Sequence, residues 1–78
     1  DVYKRQGGYL VGRDLPLGGY VFTAKNGQKG CVTLYKSYKD FKEEEMELTY
    51  EYFEEDYHLS LMEDGNYLLV ENATIQKI

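Results

Sequence analysis

Val11-Gly12-Arg13-Asp14-Leu15-Pro16-Leu17-Gly18-Gly19-Tyr20 carries the strongest turn signal in the chain. Its single Pro and three Gly stand between apolar runs and mark a turn placed between two strands. Pro16 fixes its own φ and biases Leu15 towards an extended backbone, and Gly18 or Gly19 supplies a positive φ before the chain re-enters a strand at Tyr20.

Downstream, the same grammar recurs. Tyr20 to Ala24 and Cys31 to Tyr35 flank Lys25-Asn26-Gly27-Gln28, a hairpin signal. A three-residue loop with Gly27 in a bulge puts Tyr20, Phe22, Val32 and Leu34 on one face, whereas a two-residue turn splits them, so the bulged hairpin is expected. Tyr57 to Met62 and Tyr67 to Val70 flank Asp64-Gly65, where a two-residue turn pairs Leu61 with Leu68 and Leu59 with Val70. That register leaves Ser60, Met62, Tyr67 and Leu69 on the other face. Ala73 to Ile78 reads as a short closing strand.

Asp40 to Asp56 is harder, with nine of seventeen residues acidic. Met46, Tyr50, Phe53 and Tyr57 follow helical spacing, while Met46, Leu48, Tyr50 and Tyr52 alternate as a strand does. Aromatic and Thr content and the surrounding pattern favour a strand from about Met46 to Phe53, with a helix as the alternative. About seven short strands in all predict an all-β fold, a compact antiparallel sandwich or partly closed barrel. No internal repeat is visible at this level.

The first six residues, Asp1-Val2-Tyr3-Lys4-Arg5-Gln6, match the translation GAT-GTG-TAT-AAG-AGA-CAG of a transposon-end adaptor used in sequencing libraries. They are expected to be non-native. Residues 7–78 then form a single small β-domain, the C-terminal part of a longer protein whose export signals and upstream domains lie in the lost portion.

The chain has 78 residues and a net charge of −5, which becomes −6 without the one acid and two bases of the first six. An acidic surface repels nucleic acid and anionic lipid headgroups over roughly 8 Å in physiological salt, so neither is an expected partner. Cys31 is the only cysteine, which excludes an intrachain disulfide and a cysteine-based metal framework. The nine tyrosines and absence of tryptophan suit half-buried strands and recognition surfaces alike.

No constellation for catalysis emerges. Cys31 and His58, the only histidine, lack an orienting third group and read as an ordinary strand residue and a surface residue opposite Glu71. Glu43-Glu44-Glu45 lacks the bent, Gly-centred loop of a Ca²⁺ site and reads as a solvated face. Paired carboxylates for glycoside hydrolysis would have no deep cleft in so short a chain. Asn72-Ala73-Thr74 is a weak glycosylation match, and Gly7-Gly8 and Gly18-Gly19 lack the following helix of a phosphate loop. No metal, no cofactor and no enzymatic activity are expected.

The Val11 to Tyr20 stretch, an aromatic or apolar strand after a Gly, and Asp64-Gly65-Asn66-Tyr67-Leu68 resemble small all-β domains of Gram-positive bacterial proteins. These domains are often envelope-associated and open on V-G-x-D-[IL]-P-x-G-x-Y. The resemblance covers nearly everything after Gly7. It departs at Lys36 to Glu43, where many relatives carry a Ser- and Gly-rich loop, so a function of that loop does not transfer. The resemblance implies a non-enzymatic accessory or binding domain of a bacterial envelope or secreted protein, with protein or glycan as ligand. Tyr35, Tyr38, Tyr50, Tyr52 and Tyr57 are the candidate binding surface. A C-terminal sensory or interaction module of a cytoplasmic regulator is the alternative, to which a lone cysteine lends some support.

Overall fold

A computed structural model describes residues 2–78. Its strands are β1 (Val2–Tyr3), β2 (Gly7–Leu10), β3 (Gly18–Ala24), β4 (Gly30–Tyr35), β5 (Glu47–Phe53), β6 (Asp56–Leu61), β7 (Tyr67–Glu71) and β8 (Ala73–Lys77), with one helix, α1 (Tyr38–Glu43), between β4 and β5. They form two four-stranded antiparallel sheets, β1-β8-β3-β6 and β2-β7-β4-β5, packed face to face. The architecture is an all-β sandwich, not a closed barrel.

Neither expected hairpin forms. β3 pairs with β6 and β8 in the first sheet, while β4 pairs with β5 and β7 in the second. β6 and β7 also fall in different sheets. The apolar faces nevertheless meet as the pattern requires, because Tyr20 and Phe22 of one sheet look across the interior at Val32 and Leu34 of the other, all four buried. Parity demands only that these side chains share an interior, and opposed sheets satisfy that as well as adjacent strands. The five-residue connections Lys25–Lys29 and Met62–Asn66 are long enough to cross the roughly 10 Å between packed sheets. Gly27, at φ 75°, still turns the chain, closing a bond from Gln28 N–H to the Lys25 carbonyl. His58 consequently lies opposite Val21, not Glu71, and remains exposed.

Between Asp40 and Asp56 the strand reading is right for Glu47 to Phe53. The preceding residues form α1, which the acidic run conceals. Its cap is Ser37, whose Oγ accepts from Asp40 N–H at 3.1 Å and donates to the Asp40 carboxylate at 2.7 Å. Glu44, left-handed at φ 57°, ends the helix. A bulge at Leu48, between the Leu34–Thr49 and Tyr35–Glu47 pairs, shifts the alternation of β5 by one residue, so that Glu47 and not Leu48 falls opposite Tyr35, and the expected alternation of Met46, Leu48, Tyr50 and Tyr52 holds only for the two tyrosines.

A short repeat also appears. Gly7-Gly8-Tyr9 and Gly18-Gly19-Tyr20 each begin a strand with a glycine at positive φ, 106° and 138°. Each then buries a tyrosine whose hydroxyl donates four residues back, to the Arg5 carbonyl from Tyr9 and the Pro16 carbonyl from Tyr20, both at 2.5 Å. The bond resembles the tyrosine corner of other β-sandwiches, and its main-chain acceptor is available from any residue type. Burial raises the hydroxyl pKa of both rings.

The opening stretch packs far more than a turn does. Val11 and Leu15 form an isolated bridge and are both buried, plugging one end of the core. The Asp14 carboxylate accepts from Leu10 N–H at 2.7 Å and from the Arg13 side chain at 3.1 Å, which together hold its pKa down, Arg13 foremost. At the open edges, aromatic pairs join the two sheets. Tyr3 meets Tyr9 edge-on at 6.3 Å, and Phe53 stacks on Tyr57 at 5.6 Å. Val2 and Tyr3, within the segment set aside from the sequence, pair with Gln76 and Ile75, and the Gln6 amide bonds both the N–H and the carbonyl of Ala73.

Candidate functional site

The two outer faces of the sandwich differ in chemistry. Alternation along β3, β6 and β8 sends Val21, Thr23, Asp56, His58, Ser60, Thr74 and Gln76 outward from the first sheet, a small and polar surface on which Thr23 bonds Asp56 at 3.0 Å.

The second sheet presents aromatic rings. Its register forms three rows across the strands: Tyr52, Cys31 and Glu71; then Tyr50, Thr33, Leu69 and Gly8; then Glu47, Tyr35, Tyr67 and Leu10. α1 lies over the third row. Phe41 packs on Tyr35 at 5.4 Å and on Tyr67 at 4.6 Å, and Tyr38 meets Tyr67 at 5.0 Å. The Tyr67 ring lies over Gly8, where any Cβ would strike it. Leu10, Arg13, Tyr38 and Tyr67 line a hollow of about 330 Å³ at this end. A larger one, about 410 Å³, opens among Gly27, Gln28, Lys29 and Glu54, but it belongs to the polar loops.

Four of the five tyrosines singled out from the sequence share this face. Tyr38, Tyr50 and Tyr52 are 50%, 52% and 59% exposed, whereas Tyr35 is covered by Phe41 and its neighbours. Tyr57 does not join them. It points inward from β6, opposite Phe22, and packs on the core beside Phe53. Tyr67, Leu69, Glu71 and Glu47 are part of the face that sequence reasoning passed over. The alternation already set Tyr67 and Leu69 opposite to Leu68, and Cys31 opposite to Val32; what it lacked was the sheet to which each strand belongs.

Tyr50 donates a hydrogen bond to the Tyr52 hydroxyl at 2.9 Å, with ring centroids 5.4 Å apart and planes at 67°. Holding the Tyr50 proton in that bond pushes its pKa up to about 12. Cys31, between Tyr52 and Glu71, is buried, and its thiol is raised first by that burial and then by the Glu71 charge. A raised, covered thiol is a poor nucleophile. Tyr35 is raised by burial and then by Glu47 and Glu44. Among the described residues no cluster of three potential metal ligands is present, and no helix is long and apolar enough to cross a membrane.

No protein-family model matches the chain, and neither the curated proteins nor the solved structures contain a significant match to it.

Proposed function

We propose that the protein is a non-enzymatic recognition domain, an accessory module of a bacterial envelope or secreted protein, working through the outer face of the β2-β7-β4-β5 sheet on a protein or glycan partner. The observation that carries this reading is the contrast between the two outer faces, one polar and one bearing Tyr38, Tyr50 and Tyr52 well exposed. Tyrosine offers a large, stiff contact area with a hydroxyl at its tip, which is the composition of recognition surfaces. The placement in an envelope or secreted protein rests on the resemblance of the Val11 to Tyr20 and Asp64 to Leu68 motifs. The burial of Cys31 weakens the support that a lone cysteine lends to a cytoplasmic setting, since a covered thiol is protected from oxidants anywhere.

The test is an amide chemical-shift titration of the labelled protein with short peptides of opposite charge and with cell-wall oligosaccharides. Changes confined to Cys31, Thr33, Tyr50, Tyr52, Leu69 and Glu71 support the reading. Changes centred on His58, Ser60 and Gln76 would move the working surface to the other sheet.

A further inference from the structure

Three pairs of tyrosine rings lie close together: Tyr3 with Tyr9, Tyr38 with Tyr67 and Tyr50 with Tyr52, at centroid distances of 6.3, 5.0 and 5.4 Å. They differ in which ends meet. Tyr9 is buried and its hydroxyl is taken by the Arg5 carbonyl. Tyr67 turns its hydroxyl over Gly8, and Phe41 covers its ring at 4.6 Å. Among the described residues only Tyr50 and Tyr52 bond hydroxyl to hydroxyl, at 2.9 Å, with both rings well exposed.

The strand produces this arrangement. Residues 50 and 52 leave the same face of β5 about 7 Å apart along the chain, so the rings converge towards their hydroxyl tips. β5 is an edge strand, paired with β4 alone, which leaves the pair open to a reagent from outside. In a phenoxyl radical much of the unpaired spin sits on the carbons ortho to the oxygen, and these flank the hydroxyl carbon. Bonded hydroxyls therefore bring together the atoms that couple when two such radicals meet. Holding two reacting groups side by side turns an encounter between molecules into a step within one.

We propose that Tyr50 and Tyr52 form a site of oxidative modification, at which a one-electron oxidant, such as the ferryl haem of a peroxidase, joins the two rings by a carbon–carbon bond within one chain. Each phenol gives one electron to the oxidant and its proton to water. The two radicals then couple through ortho carbons, and the hydrogens displaced there pass to the oxygens as the rings regain aromaticity. The protein loses two hydrogens in all, and one hydrogen peroxide is reduced to two waters. The inference is independent of the recognition reading.

Competing routes are restricted. Met46 and Met62 are exposed and take two-electron oxidants to the sulfoxide, while Cys31 is buried. Coupling between chains has to overcome the repulsion of molecules with a net charge of −5. An effective concentration on the order of mM between neighbours on one chain, against about 10 µM protein, favours the intrachain bond about a hundredfold.

The test is photochemical oxidation of the 78-residue chain by a ruthenium tris-bipyridyl complex with limiting persulfate, in buffer and in urea. Cleavage after Glu47, Glu51 and Glu54 separates Leu48-Thr49-Tyr50-Glu51 from Tyr52-Phe53-Glu54 unless their rings are joined. The joined pair, two hydrogens lighter than the sum of its parts, is expected as the main crosslink of a protein that stays monomeric. Tyr52→Phe should remove most of the dityrosine fluorescence, and Tyr57→Phe, whose ring packs on the core, should leave it. In urea, where the hydroxyl bond is gone, the joined pair should fall to the level of the other crosslinks. A main crosslink between Tyr38 and Tyr67 or between chains, no crosslink at all, or an equal yield of the joined pair in urea would overturn the proposal.

Discussion

Leu15 and Leu17 stand two residues apart around the only proline, and the structure assigns them opposite energetic weights. Leu15 is fully buried beneath the bridge to Val11, whereas Leu17 is 43% exposed. Leu15→Ala removes a side chain from a closed part of the core, where such truncations cost about 2 to 5 kcal/mol, the larger figures applying when the surroundings cannot collapse. Collapse is restricted here. The main chain on either side is held by bonds from Gly12 N–H to the Leu15 carbonyl at 2.7 Å and from Asp14 N–H to the Leu10 carbonyl at 2.8 Å. A domain of this size has a total stability of only about 4 to 12 kcal/mol, so the substitution removes a large share of it. Leu17→Ala should stay within about 0.5 kcal/mol, as other surface substitutions do. Urea unfolding followed by tyrosine fluorescence and circular dichroism measures both. If the two variants lose stability equally, or Leu15→Ala loses under about 1 kcal/mol, the stretch is an ordinary surface turn and its role as a core plug is refuted.

Ser37→Ala should cost about 1 kcal/mol by removing the cap of α1, with Ser37→Asp retaining most of it; the same unfolding measurement reads both. Tyr52→Phe should bring the Tyr50 pKa down from about 12 towards the ordinary value of 10, since the acceptor of its proton is gone, and ultraviolet titration follows the change. Tyr9 and Tyr20 have hydroxyls raised by burial, so the unfolded chain ionises first: their contribution to stability is full below the unfolded pKa of about 10 and falls as pH rises through the folded values, which alkaline unfolding curves of the Tyr9→Phe and Tyr20→Phe variants should reveal. Cys31 should resist aromatic disulfide reagents in the native protein and react once it is unfolded in urea.

Much of the inside of this protein is legible as alternation. Tyr20, Phe22, Val32, Leu34, Leu61 and Leu68 are assigned to the core by parity alone, and all are buried. Pairing is not legible, because an Asn-Gly or Asp-Gly turn serves a hairpin and an arch between sheets equally well, and the choice depends on burial summed over both layers. α1 hides for a related reason. Ser37 and Asp40 form a cap recognisable by its spacing, but the acidic run masks it, and the six helical residues stay in place by laying Phe41 and Tyr38 on rings contributed by β4 and β7. Tyr57 illustrates the limit for the site. Its residue type matches Tyr50 and Tyr52, yet it sits on another sheet with the opposite orientation, and only the assembled register separates them.

The recognition role proposed for the tyrosine face depends on β4 lying between β5 and β7. The most direct measurement is therefore the set of nuclear Overhauser contacts between backbone protons of neighbouring strands. Contacts linking Cys31 with both Tyr52 and Glu71, and Val21 with both His58 and Gln76, are expected. Contacts from β4 to β3 across a Lys25–Lys29 hairpin would contradict this arrangement, separating Tyr50 and Tyr52 on β5 from Leu69 and Glu71 on β7 and leaving no common face for a partner to read.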